Sequence, residues 1–518
     1  MDTQIPGKIT SPFVMVIFGV TGDLTQRKLI PALFHLFQKK LLPERFYIVG
    51  FSRRPYTSED FKEFLEQAIK KYHQHNFSES QWHEFIGKCY YQQGDFGEAQ
   101  GYLDLIGKLK EFDDFLSSCV PRFFYLATPP DNYPEILKYL HSTKLSEGCL
   151  PASLRQALPA GGQGSDKWTK IMIEKPFGKD LDDATKLDEK LAQFFNEEQI
   201  YRIDHYLGKE AVQNILAFRF GNTIFDPVWN NRFIDHVQIT IAENLGVETR
   251  GNFFEGVGTL RDMAQSHLLQ LMTAITMREP QRLDAEGIRD ARTASIKEIV
   301  CIEPAQVETR IVRGQYGKGN SYTSGKNEQL LSYRKERNVS PVSNTETFVA
   351  LKLFTTDGLW DGVPFYLRTG KRLQRKATEI AVIFKEPKLK MLGKGEKEVV
   401  ANTLTFQIEP TQGIELTLNA KKVGFERIFN QVPMNFTYRT PDGLPEAYEK
   451  LLVDVMRGDQ TLFTRTDEVQ ASWKLISRIS QRWQEEKDPG FPNYPAGSWG
   501  PKAAEELIQK DGRAWILQ

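Results

Sequence analysis

The sequence has few cysteines and no net charge. Its 4 cysteines are widely spaced in 518 residues and form no Cys-x-x-Cys pair, which argues against a metal site and against a disulfide framework. The 67 basic side chains balance 67 acidic ones, so the chain has no overall field that would attract nucleic acid or an anionic membrane. Any anion must therefore be held by a local cluster of basic residues.

Long apolar runs are missing too. No stretch approaches the about 20 residues that span a bilayer. The early run FVMVIFGV has neither a basic region nor a cleavage-like site before it. These absences predict a protein without a membrane partner, in a reducing, cytoplasmic setting. A length of 518 residues exceeds one ordinary core and predicts two domains.

The first part of the chain alternates strand and helix signals. The strand candidates are FVMVIFG, FYIVGFSRRP, RFFYLATPP and KIMIEKPFG. Helical segments lie between them, among them residues 58–72 and 132–141. This alternation predicts a doubly wound parallel sheet of the Rossmann type. Pro31 indicates that the first helix is kinked, or becomes regular only after an irregular first turn. The composition of residues 156–166 predicts a loop.

Beyond about residue 230, apolar and polar residues alternate along the strand candidates. These are HVQITIAE, FVALKLF, TLTFQIE and IELTLNA. Such alternation is typical of antiparallel strands with one buried face. A helix candidate, residues 259–276, lies between the first of them and the rest. The pattern predicts a larger α+β domain with a big, mainly antiparallel sheet and helices on one side, and we place the domain boundary between residues 203 and 204.

A glycine turn joins the first strand to the first helix. Gly19 and Gly22 allow a tight turn and let a pyrophosphate approach backbone N–H groups. The spacing is GxxG rather than GxGxxG, so an ordinary strand–helix turn is the alternative interpretation. Arg53 and Arg54 end the second strand, where NAD enzymes place an acid. Two guanidinium groups match a 2′-phosphate, which favours NADP over a solvated basic turn.

The stretch RIDHYLGKE, residues 202–210, crowds polar side chains in a chain with only 8 histidines. His205, Tyr206 and Lys209 can form a phosphate pocket, whereas Asp204 is an acceptor that needs another partner. His267 falls on the apolar face of the helix candidate GTLRDMAQSHLLQLM. It is either a satisfied core histidine or a general base held by a carboxylate, and the spacing alone does not show whether Asp204 meets it.

These motifs resemble those of the glucose-6-phosphate dehydrogenase family. The matching stretches, in the family's order and across nearly the whole chain, are FGVTGDLTQRKLIPAL, EKPFG, RIDHYLGKEAVQNILAFRFGN, RDMAQSHLLQ, PFYLRTGKRL and GPKAAEEL. RIDHYLGKE is highly specific to this family, whereas the glycine turn is not. The resemblance implies an NADP-binding Rossmann-like domain in residues 1–203 and a domain for substrate binding and oligomerisation in residues 204–518.

The resemblance also implies a reaction. D-glucose 6-phosphate is oxidised at C1 to 6-phospho-D-glucono-1,5-lactone with hydride transfer to NADP, the first step of the oxidative pentose phosphate pathway. The enzyme is expected to be a homodimer or homotetramer and to need no metal. One alternative is an NADP-dependent dehydrogenase of an unphosphorylated sugar, against which the basic cluster at 205–209 argues. The other is a non-catalytic NADP-binding sensor, which should have lost His267 or Asp204.

Single residues receive roles from the same resemblance. His267 matches the catalytic base and Asp204 its partner, and Pro176 matches a proline that is cis in the family. The matching substrate-binding residues are Lys175, His205, Tyr206, Lys209, Glu243, Asp262, Lys371 and Lys376. The matching coenzyme-binding residues are Gly19, Thr21, Gly22, Asp23, Leu24, Arg53 and Lys175.

Three positions qualify the resemblance. Ser266 stands where the family usually has asparagine, directly before the catalytic histidine. Glu409 stands where many relatives have glutamine, which weakens the assignment of this position to the sugar. Arg368 is compatible with a second, structural NADP that some members bind near the large sheet.

Arg53 offers a test of cofactor choice. We expect Arg53→Ala to raise the KM for NADP far more than the KM for NAD, because a hydrogen bond to a charged group contributes about 1.5–3 kcal/mol. Initial rates with each cofactor, followed at the absorbance band of the reduced nicotinamide, measure the difference. Equal changes for both cofactors would remove Arg53 from the 2′-phosphate role.

Overall fold

The computed structural model describes residues 8–72, 77–147, 169–321, 328–387, 400–425, 429–439, 444–486 and 488–517. The loop predicted at residues 156–166 lies outside these ranges. Within them the chain forms one sheet of 7 strands, one of 8 strands and two ladders of 2 strands each. No helix in the described ranges is long and apolar enough to cross a membrane.

The first part of the chain forms a parallel sheet. Its strands are β1 (Phe13–Phe18), β2 (Phe46–Ser52), β3 (Cys89–Gln93), β4 (Arg122–Leu126), β5 (Thr169–Glu174) and β6 (Ile200–Ile203). They lie in the order β6-β5-β4-β1-β2-β3, with parallel pairing throughout. Strand β1 is buried along its whole length, as expected for a parallel sheet covered on both faces. The predicted Rossmann-type sheet is confirmed.

Six helices connect these strands. They are α1 (Ile30–Gln38), α2 (Ser58–Tyr72), α3 (Glu79–Ile86), α4 (Ala99–Leu116), α5 (Tyr133–Ser142) and α6 (Leu181–Ala192). Buried residues of α1, α2 and α3 share one apolar core, and those of α4, α5 and α6 share another. A π-helical turn, Thr25–Leu29, precedes α1, and Pro31 lies at the beginning of α1. The regular α-helix thus starts near Pro31 after an irregular, π-helical turn, which is one of the two alternatives that the sequence predicts.

The rest of the chain contributes the other strands. They are β7 (Ile234–Ala242), β8 (Ile311–Gly314), β9 (Tyr316–Gly317), β10 (Gly319–Ser321), β11 (Glu328–Leu330), β12 (Phe348–Leu353), β13 (Phe365–Gly370), β14 (Ala377–Phe384), β15 (Thr403–Glu409), β16 (Gly413–Lys421), β17 (Phe429–Thr437), β18 (Phe463–Thr464) and β19 (Tyr494–Pro495). The large sheet has the order β17-β16-β15-β14-β7-β13-β12-β8. Its neighbours are antiparallel except for the parallel pair β7 and β13. The mainly antiparallel sheet is thus confirmed.

Helices cover both faces of part of this sheet. The helices of this part of the chain are α7 (Glu210–Gly221), α8 (Gly251–Glu255), a π-helix (Leu260–Leu268), α9 (Leu269–Thr276), α10 (Ala285–Lys297), α11 (Val307–Arg310), α12 (Ala447–Arg457), α13 (Thr466–Glu485) and α14 (Lys502–Gln509), of which only some contact the sheet. The π-helix, α7, α9 and α13 share the core with one face. On the other face, Ile508 of α14 and Trp515 pack against Tyr366. The prediction of helices on one side only is wrong at β13, which is buried on both faces.

The chain returns from the large sheet to complete the first one. Strand β18 pairs antiparallel with β6 and forms the edge of the first sheet. Leu451 and Leu452 of α12 belong to the same apolar core as α1. Residues 447–464 therefore lie with the Rossmann-type sheet although they are far from it in sequence. A two-residue strand carries no periodicity, so the pattern could not reveal it.

The three cysteines that the structure describes are in two states. Cys89 and Cys301 are free thiols, and Cys119 is disulfide-bonded. The wide spacing predicted no disulfide framework and did not reveal this single bond, because a disulfide depends on spatial proximity rather than on sequence separation.

Candidate active site

A cavity of about 600 Å³ lies between the two sheets. Eight of its lining residues come from the sequence-based predictions: Lys175, His205, Tyr206, Lys209, Glu243, Asp262, His267 and Lys376. Asp204 and Lys371 are buried directly behind this lining and contact His267 and Glu243. The structure thus brings the predicted substrate-binding and catalytic residues together in one place.

The strand register explains this convergence. Lys175 and Asp204 directly follow β5 and β6, which end at the same edge of the first sheet. In the large sheet, Ala242 at the end of β7 is opposite both Gly370, which ends β13, and Ala377, which begins β14. The residues next to these strand ends, among them Glu243, Lys371 and Lys376, therefore share one edge. Parallel strands end at a common edge, which is where α/β proteins place ligands.

Asp204 and His267 form a buried hydrogen-bonded pair. The distance between His267 Nδ1 and Asp204 Oδ1 is 2.6 Å, and both side chains are almost fully buried. The same carboxylate oxygen accepts a bond from the backbone N–H of Tyr206 at 3.0 Å. His267 Nε2 is buried and makes no hydrogen bond to any described residue. One ring nitrogen is thus held by the acid while the other remains available to a ligand.

The charges of this pair suit a proton acceptor. Burial lowers the pKa of His267, although Asp204 opposes the effect, so the imidazole is neutral near neutral pH. Burial alone would raise the pKa of Asp204, but His267, His205 and Lys175 together bring it below its ordinary value. An ionised carboxylate beside a neutral imidazole stabilises the imidazolium once a proton has been taken.

His205, Tyr206 and Lys209 form a second group in the cavity. The Lys209 Nζ atom lies 4.2 Å from the centre of the Tyr206 ring, and the His205 ring centre lies 4.7 Å from that of His267. Burial and the neighbouring positive charges lower the pKa of His205 well below its ordinary value. His205 is therefore neutral in the free protein and can offer an anion a hydrogen bond, while Lys209 offers a charge.

Lysines and carboxylates alternate across the opposite wall. Lys175 Nζ donates to the backbone oxygen of Asp262 at 2.6 Å and to its Oδ1 at 3.0 Å. Lys371 Nζ lies 2.5 Å from Glu243 Oε2 and 3.9 Å from Asp262 Oδ2. Glu243 and Asp262 retain acceptor capacity for hydroxyl groups. The peptide bond between Lys175 and Pro176 is cis, as the resemblance implies.

The glycine turn has the geometry of a dinucleotide site. Gly19 has φ +82°, and a Cβ atom there would lie 2.6 Å from the Ala127 carbonyl oxygen, so only glycine fits this close approach. The side chains of Thr21 and Ser52 meet at 3.1 Å, which ties the turn to the end of β2, where Arg53 is exposed. Backbone N–H groups beside an open guanidinium fit a pyrophosphate and a 2′-phosphate.

The remaining residues of the turn lie beside it. Asp23 forms an exposed ion pair with Arg27 at 2.7 Å. Leu24 precedes the π-helical turn and packs against the apolar core beneath α1. The Asp23 side chain is thus paired with Arg27, and that of Leu24 is engaged in the core.

Two residues at the site were missed from the sequence. Glu174 accepts hydrogen bonds from Tyr125 at 2.5 Å and Tyr448 at 3.1 Å, and burial raises its pKa to about 7. Tyr448 lies on α12, lines the cavity and is parallel to the His205 ring. The acid next to Lys175 was a signal for Glu174. Tyr448 had none, because α12 reaches the cavity only through the tertiary fold.

Asp204, His205 and His267 offer ligand atoms within 4.8 Å of one another. The Asp204–His267 bond already uses one ligand atom of each of these two residues, and a cation would lie near the positive charge of Lys175, which acts on all three groups. The donor set favours proton transfer over metal binding.

Arg368 is not open to a nucleotide. Its side chain is fully buried, with the guanidinium carbon 4.1 Å from the Trp515 ring and 5.0 Å from the Trp499 ring. It also donates to the backbone oxygen of Leu517. The chain's own C-terminal segment thus occupies the surroundings of this arginine, for which the sequence had left a second NADP undecided.

Comparison with known proteins gives consistent matches over the whole chain. The model of the glucose-6-phosphate dehydrogenase NAD binding domain matches residues 16–214, and that of the C-terminal domain matches residues 216–516. The glucose-6-phosphate 1-dehydrogenase of Chlamydia pneumoniae is 42% identical over 509 residues, covering 97% of this chain and 96% of that protein. The protein of that name from Bacillus subtilis is 39% identical over 504 residues, covering 97% of this chain and 98% of that protein.

Solved structures agree with these matches. A glucose-6-phosphate dehydrogenase in complex with its substrate glucose-6-phosphate superimposes with a TM-score of 0.84 at 33% identity, covering 98% of this chain and 99% of that chain. The glucose-6-phosphate 1-dehydrogenase of Mycobacterium avium has a TM-score of 0.81 at 28% identity, with the same coverage of 98% and 99%.

Proposed function

Because the chain belongs to the glucose-6-phosphate dehydrogenase family, we propose that His267 and Asp204 are the pair with which it oxidises D-glucose 6-phosphate. The reaction oxidises the substrate at C1, which gives 6-phospho-D-glucono-1,5-lactone, and reduces NADP. It is the first step of the oxidative pentose phosphate pathway. Family membership decides against a dehydrogenase of unphosphorylated sugars and against a non-catalytic sensor. The observation that supports the pair is the 2.6 Å bond at His267 Nδ1, which leaves Nε2 without a partner among the described residues.

His267 acts as the general base in this proposal. Its Nε2 takes the proton of the C1 hydroxyl group, and Asp204 stabilises the resulting imidazolium. NADP, when bound, accepts the hydride that leaves C1. A positioned base contributes about 10²–10⁴-fold in rate, and holding C1 against the coenzyme contributes further. We place Lys175 between the coenzyme and the substrate, because it directly follows β5 of the coenzyme domain and its Nζ atom reaches Asp262 in the wall of the cavity.

The other residues hold the substrate. We assign the phosphate to His205, Tyr206 and Lys209, with Lys376 nearby, because these groups supply positive charge and hydrogen-bond donors at one end of the cavity. We assign the sugar hydroxyl groups to Glu243, Asp262 and Lys371 at the opposite wall. Residues 1–203 carry the coenzyme in this proposal, and residues 204–518 carry the substrate and the contacts between copies. The enzyme works in the cytoplasm, where phosphorylated sugars and NADP are retained.

A second copy of the chain covers an apolar face of the large sheet. On β16 and β17, the cross-strand pairs Leu418 with Val432, Leu416 with Met434 and Ile414 with Phe436 lie on one face. Met434 and Phe436 are 60% and 59% exposed, although this face continues the core that α7 covers at Phe406. Pro433 removes one N–H group from the edge strand, which favours packing on the face over extension of the sheet. A self-complementary apolar face is typical of a symmetric dimer.

The catalytic pair can be tested by substitution. We expect His267→Asn to lower kcat by several orders of magnitude with little change in the substrate dissociation constant, because the amide keeps polarity but accepts no proton. Asp204→Asn should also be severe, and the double variant should be little worse than His267→Asn, since residues that act as one unit are non-additive. Steady-state rates and a binding titration measure this.

The matched control is His236→Asn, which removes another buried histidine bonded to an aspartate, Asp235 at 2.7 Å, away from the cavity. It should leave kcat nearly unchanged. Near-normal turnover in His267→Asn, or losses that simply multiply in the double variant, would show that His267 is only a core histidine.

The phosphate pocket is tested by comparing two substrates. We expect Lys209→Ala to raise the KM for glucose 6-phosphate strongly. The weak turnover of free glucose should stay nearly unchanged, because glucose carries no phosphate that Lys209 could bind. Lys352→Ala removes a comparable, partly buried lysine paired with Asp511 and serves as control. Parallel losses on both substrates would place Lys209 at the reacting centre or in the fold instead.

The proposed interface predicts a change of mass. Met434→Asp should shift the enzyme toward monomers in sedimentation velocity runs, because a charge would be buried between copies. Gln431→Asp introduces the same charge on the opposite face of β17 and should leave the assembly intact. An unchanged sedimentation coefficient for Met434→Asp would contradict the interface.

A further inference from the structure

Glu409 is a charged residue in the cavity that the proposed reaction does not use. It is the last residue of β15, and its carboxylate contacts two lysines at once. Oε1 pairs with Lys209 Nζ, and Oε2 lies 3.1 Å from Lys376 Nζ. The Lys209 side chain is 10% exposed and that of Glu409 25% exposed, so water screens this contact less than it screens a surface pair.

These are the lysines that the proposed function assigns to the substrate phosphate, and the inference rests on that assignment. An ammonium group offers three donors, so a second anion can share it, but two anions at one cation repel each other. The Glu409 carboxylate therefore occupies, in the free protein, the positive charge that an entering phosphate needs. His205 and Tyr206 on the same side of the cavity have no carboxylate bound to their polar side-chain atoms in the described structure.

The charge state of the group supports this occupation. Burial by itself would raise the pKa of Glu409, but Lys209 and Lys376 together hold it below its ordinary value. Burial lowers the pKa of Lys209, and Glu409 opposes that effect. Glu409 is therefore ionised near neutral pH, and it helps to keep Lys209 protonated while the cavity holds no substrate.

We propose that Glu409 is a specificity-determining residue that competes as an internal anion for Lys209 and Lys376. An entering group must bind the two lysines more strongly than the carboxylate does. A phosphate dianion can do so because it combines two charges with three acceptor oxygens. Neutral sugars and weakly held monoanions cannot. Glu409 thus weakens the binding of every anion and keeps the pocket for substrates with a doubly charged group.

The test replaces Glu409 by glutamine, which keeps the size of the side chain and removes its charge. Inorganic phosphate and sulfate serve as probes, each measured as a competitive inhibitor against glucose 6-phosphate near neutral pH. We expect Glu409→Gln to lower the inhibition constants of both anions on the order of tenfold. The KM for glucose 6-phosphate should fall as well.

Two further variants separate this effect from the loss of a negative charge elsewhere and from a change in side-chain structure. Glu415→Gln removes one negative charge from the neighbouring strand β16, outside the cavity lining, and should leave the inhibition constants unchanged. Glu409→Asp keeps the charge and should remain closer to the parent enzyme than Glu409→Gln. Thermal melting curves of all variants verify that they fold.

The outcomes are distinct. Unchanged inhibition constants in a folded Glu409→Gln variant would overturn the proposal. A raised KM for glucose 6-phosphate with unchanged phosphate inhibition would also overturn it and would make Glu409 a direct acceptor for the sugar. If inorganic phosphate does not compete with glucose 6-phosphate even in the parent enzyme, the phosphate pocket itself is wrong, and the proposed function fails at that point rather than at Glu409.

Discussion

The hydrogen bond between Asp204 and His267 is the contact on which the site depends. Asp204 follows the last parallel strand of the Rossmann-type sheet, and His267 lies on a π-helix packed against the large sheet. A bond of 2.6 Å between them exists only if the two sheets are held in one relative position. The return of α12 and β18 to the first sheet helps to hold that position. An unpaired buried carboxylate would be strongly destabilising, so folding requires the same geometry as the proposed proton transfer.

The charges in the cavity are arranged as lysine–carboxylate pairs, and a substrate could replace one partner of a pair. Lys175 is bound to Asp262, Lys371 to Glu243, and Lys209 to Glu409. Each ammonium group is thereby compensated while it is partly removed from water, as buried charges require. A substrate with a phosphate at one end and hydroxyl groups along its ring can replace or share these contacts one by one. A chain without net charge can therefore still bind a dianion, because the positive charge is local.

Much of the fold follows from patterns in the sequence. The buried apolar runs and the alternating strands indicate the two kinds of sheet, because burial on both faces or on one face leaves different periodicities. The π-helix that carries His267 was recognised as a helix but not as π-helical, since its apolar spacing resembles that of an α-helix. Strand β18, helix α12 and the cover of Arg368 by the C-terminal segment were not foreseen. They depend on contacts between residues far apart in sequence, which a local pattern does not contain.

The sequence by itself determined the family and the reaction through its resemblance to known members, because RIDHYLGKE is highly specific to that family, and the same resemblance named most of the residues that line the cavity. Only the tertiary structure decided which of these groups meet. In the folded chain, Asp204 is hydrogen-bonded to His267, Glu409 lies between two lysines, and Tyr448 lies beside His205. The reason is physical: a hydrogen bond or an ion pair requires atoms within about 3–4 Å, and that distance between remote segments is set by how the sheets and helices pack.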